Sequence, residues 1–335
     1  MLTLLCSVNS PLVMADAGES PLFPADPQAA TPLAIELRLP LTQLTRLKPD
    51  VSEAFDANLT LDDGTGLELR VSPRGKSRRS QCTFPPLRLD FKKKTTAGTV
   101  FEGQNKLKLV THCSNRLARG GYLAAEMLAY RLLTLFTDAS FRVRALEVTY
   151  VNSDDSESET WPAFVIEHKK DLAKRMGGEL LKAKSIDVSA VEPHYSTLVN
   201  MFQLMVANTD FSILAGPGEE CCHNAVPVQA EQVRVVPYDF DATGLVNAPY
   251  AHPSPAVNIR RVTQRLYRGY CEHNDAIPAV VEEFLARQAD VFALVDSFAD
   301  IPGLERARVS KYLLKFFEMI DPPKTLNSKV TRRCR

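Results

Sequence analysis

Apolar and polar residues alternate along Ala34-Ile-Glu-Leu-Arg-Leu-Pro40, the period-two pattern of a strand with one buried face. Asn58-Leu-Thr-Leu61 and Leu67-Glu-Leu-Arg-Val71 alternate likewise, joined by Asp62-Asp-Gly-Thr-Gly66, a glycine-bearing hairpin turn. Phe141–Val151 and Ala163–Glu167 are two further β-rich runs, and the acidic turn Asn152–Thr160 between them predicts a hairpin with a solvated tip. Over Gly121–Phe136 the period becomes helical and predicts a strongly amphipathic helix carrying Glu126. Tyr195–Ala207 sets Leu198, Met201, Phe202, Met205 and Val206 on one stripe, so a buried helix should deliver Asp210 at its C-terminal end. Two Val-rich strands, Ala225–Val228 and Val233–Tyr238, come next. Long helices are predicted over Ala279–Phe298 and Leu304–Ile320, the second with Val309, Tyr312, Leu313, Phe316 and Phe317 on a common face. A β-rich first half and a mainly helical second half make an α+β arrangement, with no internal repeat and a basic, frayed end over Lys329–Arg335.

Composition narrows the partners. With 335 residues the chain can bury a sizeable core in two lobes or two small domains. Lys+Arg 40 balance Asp+Glu 40, so no global charge points to nucleic acid or an anionic membrane, and any phosphate binding must come from local clustering. No stretch reaches the roughly 18 apolar residues of an integral membrane span. The start, closing in Ala15-Asp16-Ala17, is signal-like, although it lacks a basic n-region and Asn9 and Ser10 interrupt its apolar run. A Pro- and Ala-rich linker, Glu19–Thr31, follows. Seven cysteines (Cys6, Cys82, Cys113, Cys221, Cys222, Cys271 and Cys334) suffice for two or three bridges in an exported protein, periplasmic or extracellular, but their pairing is open.

The chemistry concentrates in Asn208-Thr-Asp210, His223-Asn224 and Pro237-Tyr-Asp-Phe-Asp241. Mg²⁺ takes oxygen ligands and usually only one or two protein carboxylates, the phosphates supplying the rest. In a kinase-type site one Asp accepts the proton of the attacking hydroxyl while a downstream Asn and a further Asp hold the metals. Asp210, Asn224 and Asp239 stand in that order, with Asp241 as a second ligand or a cap on the following turn. The plainer alternative is a solvated Asp after a helix and an Asp-Phe-Asp turn whose carboxylates bond local N–H groups.

These motifs resemble those of the CotH-type atypical kinases, first known as spore-coat protein kinases, and more distantly the HipA-like kinases. Upstream, Leu67–Val71 with Arg74-Gly-Lys-Ser-Arg78 resembles the strand and Arg-Gly segment of the CotH N-terminal lobe. Phe84–Phe91 and Asn105–Leu109 are similar to its next two strands. The resemblance covers about residues 55–270. It implies an α+β, bilobal protein-kinase-like fold: a β-rich N-terminal lobe over 32–167 and a mainly helical C-terminal lobe over 168–323. A signal-like segment and linker (1–31) would precede it and a basic tail (324–335) follow. It also implies ATP with Mg²⁺ or Mn²⁺ as cofactors and a protein hydroxyl as acceptor. Asp210 would be the base, and Asn224, Asp239 and Asp241 the metal ligands. Arg74 or Arg88 would hold phosphates, Glu126 would pair with Lys106 or Lys108, and Glu167-His168-Lys169 would form the hinge facing adenine.

The chain also departs from the family pattern. Fourteen positions separate Asp210 from Asn224, the insert Leu214–Cys222 must loop out, and there is no His-Arg-Asp and no G-x-G-x-x-G loop. A catalytically inactive pseudokinase-like binding module and an intracellular small-molecule kinase are therefore kept as alternatives. Arg70, Arg74, Lys76, Arg78, Arg79, Arg88 and Lys92–Lys94 form the main basic concentration, read either as a cap on the phosphates or as solvated loop charge. Cys221-Cys222-His223 with Cys271-Glu-His273 suggests zinc only weakly, because adjacent cysteines strain a tetrahedral site.

Overall fold

The computed structural model describes residues 20–26, 31–75, 77–114, 121–213 and 221–335. The signal-like segment, Cys6, Lys76 and residues 214–220 of the insert lie outside them.

The alternating runs fold as strands and close on themselves. Strands β1 (Leu33–Leu39), β2 (Phe55–Leu61), β3 (Gly66–Pro73), β4 (Leu87–Phe91), β5 (Lys106–Val110), β6 (Val143–Asn152) and β7 (Ser158–Ile166) form a closed barrel in the order β1-β2-β3-β4-β5-β7-β6. Each neighbouring pair is antiparallel except the closing one, where β1 runs parallel to β6 from Leu33↔Leu146 to Leu39↔Asn152. Every second residue points inward, so Leu37, Leu59, Leu69, Val71, Leu89, Leu107, Val148 and Val165 fill the interior. Leu22 and Phe23, in the segment expected to be linker, are buried in that same core. The short helices α1 (Leu41–Arg46) and α2 (Ser77–Gln81) follow β1 and β3.

The opposite face of β6 and β7 is apolar as well, through Val143, Ala145, Phe164 and Ile166, and α3 (Tyr122–Thr134) packs on it. Every residue from Leu123 to Leu133 is buried, including Glu126 at 1% exposure and Arg131 at 2%, so this helix has no solvent face and the expected amphipathic surface is absent. Its other side meets the C-terminal helices.

The remaining elements are α4 (Lys169–Arg175), β8 (Glu179–Leu180), α5 (Pro193–Val206), β9 (Ala225–Gln229), β10 (Val233–Pro237), α6 (Ile277–Ala286), α7 (Gln288–Ser297), α8 (Arg306–Ile320) and α9 (Pro323–Lys329). Strands β10-β9-β8 form a small antiparallel sheet. The single helix expected over Ala279–Phe298 is broken at Arg287, which leaves helical geometry (φ −91°, ψ 3°) and caps α7. The C-terminal end is not frayed: Cys334 is bonded to Cys271 and Val330 is fully buried.

The bilobal kinase-like fold is therefore not what this chain adopts. A sheet lobe of that kind would stand apart from a helical lobe. Here the strands close into a seven-stranded barrel, and a single hydrophobic core runs from its outer face through α3 into α5, α6, α7 and α8. The physical cause is an apolar outer face on β6 and β7, which only a helix with two apolar sides can cover.

Candidate active site

Helix α5 begins at Pro193, where the Glu192 carboxylate accepts the N–H groups of His194 and Tyr195 (both 2.9 Å). It stops where Ala207 turns left-handed (φ 51°). Asn208 then accepts the Asp210 N–H through its Oδ1 at 2.9 Å and sets Asp210 on a tight turn. Asp210 is held from two sides: His223 Nε2 lies 2.8 Å from Oδ1, and the Asn224 amide donates to Oδ2 at 3.1 Å and to the backbone carbonyl at 2.8 Å. The Asn208, His223 and Asn224 motifs thus meet across the insert, fastened by the Ser212↔His223 bridge.

Asp239 leaves the end of β10 with φ 67°, and Asn224 at the start of β9 has φ 48°; both are left-handed conformations that non-glycine residues rarely adopt. The Asp239 N–H donates to the Tyr130 hydroxyl at 2.8 Å, and Phe240 is buried edge-on against Tyr130 and Phe202. The loop then seals the end of α5, since Gly244 and Leu245 donate to the Ala207 and Val206 carbonyls. That brings Asp241 within electrostatic reach of Asp239 and Asp210.

Helix α3 closes the site from behind. Glu126 and Tyr130 are four residues apart and face the same side. The cation that reaches Glu126 is Arg78 of α2, not Lys106 or Lys108. Its guanidinium lies 3.1 Å from Glu126 Oε2, 3.2 Å from Asp241 Oδ2 and 2.9 Å from the Tyr250 hydroxyl. Burial pushes Glu126 up to about 8 against the pull of Arg78, and Asp241 up to about 6, with Asp239 and Asp210 adding to the rise. Burial opposes the charge on Arg78, but Glu126, Tyr250 and Asp241 hold it protonated well above the ordinary arginine value. Glu126 Oε1 is buried with no hydrogen-bond partner among the described residues.

Of the other candidates, Lys106, Lys108 and Glu167 line an adjacent cleft of about 450 Å³ between the barrel and the small sheet, together with Ile166, Lys182, Val226 and Tyr238. Lys108 sits 3.8 Å over the Tyr238 ring, and burial, with Arg74 nearby, lowers it to about 7. Arg74 also acts on Glu126, which places it between cleft and acidic loop. Arg88 is exposed on β4 at the register position beside Lys108. Lys106 is exposed and pairs with Asp90 at 3.6 Å. The Glu167 carboxylate is taken up by Arg175 (3.0 and 2.8 Å) and the Arg142 N–H, so only its backbone could serve as a hinge.

Tyr130 and His223 have no role of their own in the sequence reading, and Arg78 appears there only within the basic cap on the phosphates. Tyr130 was signalled by its i+4 spacing from Glu126, and His223 by its place beside Asn224; the link from Arg78 to Glu126 spans 48 positions and had no local signal.

The zinc alternative has lost its thiolates. Cys221 is bonded to Cys222 and Cys271 to Cys334, with Cys82–Cys113 as the third bridge. Among the described residues no group of three or more His, Cys, Asp or Glu side chains is arranged to hold a metal ion. A magnesium-type set asks for less: two carboxylates, Asp239 and Asp241, and the Asn224 amide oxygen, with phosphates completing the shell. Burial raises Asp241 and Glu126, the Asp239 carboxylate adds to both, and Glu126 Oε1 has no hydrogen-bond partner among the described residues; these mark a site short of positive charge, which fits such a cation. No protein-family model matches this chain, and no curated protein matches it either.

Proposed function

We propose that this protein transfers the γ-phosphate of ATP to a protein hydroxyl, in a manner similar to the CotH-type kinases in its motifs though not in its fold. The observation that carries the reading is the meeting of Asp210, Asp239 and Asp241 from two separate segments beside a lysine-lined cleft. Asp210, held by Asn224 and His223, would accept the hydroxyl proton of the acceptor. Lys108 and Arg74 would meet the phosphates, and Ile166, Val226 and Tyr238 the nucleoside. Asp239, Asn224 and Asp241 would hold Mg²⁺ or Mn²⁺, which when bound supplies the positive charge that offsets the phosphates. Export to an oxidising compartment is part of the proposal, supported by the three disulfides. Among the described residues no helix is long and apolar enough to cross a membrane.

A second reading, nucleotide binding without transfer, is favoured by one observation: both Asp210 carboxylate oxygens already have partners. The experiment separates the two. Purified protein is given ATP with Mg²⁺ or Mn²⁺, binding is followed by calorimetry, and transfer of labelled phosphate is followed to casein and to the protein itself. Transfer that falls about a hundredfold or more in Asp210→Asn and in Asp239→Asn supports the kinase. Metal-dependent binding without transfer assigns the binding module, and no binding with either metal overturns both.

A further inference from the structure

A second cavity, of about 250 Å³, opens at one end of the barrel, away from the acidic loop and independent of the phosphotransfer reading. Its walls are aromatic. Phe84, His112 and Trp161 stack in series, with centroids 4.7 and 4.8 Å apart, and Tyr150 tilts against Phe84 at 4.7 Å. The Cys82–Cys113 disulfide and the Phe84 N–H bond to the Cys113 carbonyl (2.9 Å) fasten together the two segments that carry Phe84 and His112. Leu41 of α1 closes another side. The rim is acidic: Glu157 immediately precedes β7 and Glu159 lies near its start, where Trp161 Nε1 donates to Glu159 Oε2 at 2.7 Å and holds that carboxylate in place. Tyr150 also lines this cavity, and its hydroxyl is buried out of reach of solvent.

Aromatic walls attract cations through their ring faces, and two carboxylates exclude an anion. The geometry points to this cavity as a binding site for an organic cation on a short apolar stem, an alkylammonium or alkylguanidinium group. The stem packs on Leu41, Phe84 and Trp161, and the N–H donors meet Glu157 and Glu159. Such a group is either a free amine or a lysine or arginine side chain of a polypeptide.

Trp161 is the chain's single tryptophan, so its fluorescence reports this cavity alone. Intact protein is titrated with butylammonium, butylguanidinium, butanol, butyrate, methyl glucoside and an end-blocked Gly-Lys-Gly peptide. The expected result is a saturable change with the cations only, with Kd raised roughly tenfold or more in the E157Q/E159Q double variant. Both carboxylates are on exposed residues, so the double variant keeps the fold. Saturation by the peptide as well as the amines assigns a side chain of a polypeptide; saturation by the amines alone assigns a small free amine. An equal response to butanol or to the glucoside, no saturable response, or an unchanged Kd in the double variant overturns the proposal.

Discussion

At the scale of single residues, the site is a balance of buried charges. Lys108 is the most exposed to test, because its folded value of about 7 lies below the ordinary 10.5. Between those values the unfolded chain holds the extra proton, so this residue makes stability rise with pH across that window; below 7 both states are charged and the burial penalty is carried in full. A bound triphosphate relieves the penalty. ATP binding at pH 8 is therefore expected to take up as much as about one proton at Lys108, read by calorimetry in buffers of differing ionisation enthalpy and lost in Lys108→Met. Glu126 and Asp241 have the opposite sign: their raised values mean that the folded state holds the extra proton, so stability falls as pH rises through about 6 and 8. Arg78 is the cation that they share. Arg78→Met is expected to destabilise the protein by roughly 3–5 kcal/mol, more at pH 9 than at pH 6, with partial recovery when Glu126→Gln is added. Urea unfolding at the two pH values measures this.

Among the elements, those that present the site were the most legible. The stripe Leu198–Val206 indicated a buried helix ending just before Asp210, and the Val-rich runs indicated the strands before Asp239, because helical and strand periods are local properties. What was not legible is what each element touches on its second side. Gly121–Phe136 holds apolar residues nearly all round, and Glu126 and Arg131 look like its solvent face until Arg78 and Asp300 are brought to them. The break at Arg287 was equally hidden, as no Gly or Pro marks it. Gly244 joins the acidic loop to the end of α5, and a Cβ there would lie 2.7 Å from the Val262 carbonyl oxygen and 2.8 Å from Thr263 Cα, both backbone. Gly244→Ala must therefore displace the loop. A loss of roughly 1–3 kcal/mol is expected, together with weakened metal-dependent nucleotide binding, measured by thermal melts with and without Mg²⁺-ATP.

For the whole molecule, the shared core predicts a single unfolding event. Trp161 reports the barrel and far-ultraviolet ellipticity reports the helices, and the two denaturation curves are expected to coincide. Two separated midpoints would restore the picture of independent lobes. That picture failed because alternation in Leu33–Leu39 shows that a strand exists and which face is inward, while its neighbours are set by register. The parallel bond between β1 and β6 has no turn to announce it. It also sets a timetable for synthesis. With β2 made, β1 still has one bare edge, and its partner from Leu146 to Asn152 leaves the ribosome only after every other barrel strand but β7. Until then the nascent chain carries an open half-cylinder with an unpaired edge, and so long a wait between partners makes closure of the barrel a late, slow step.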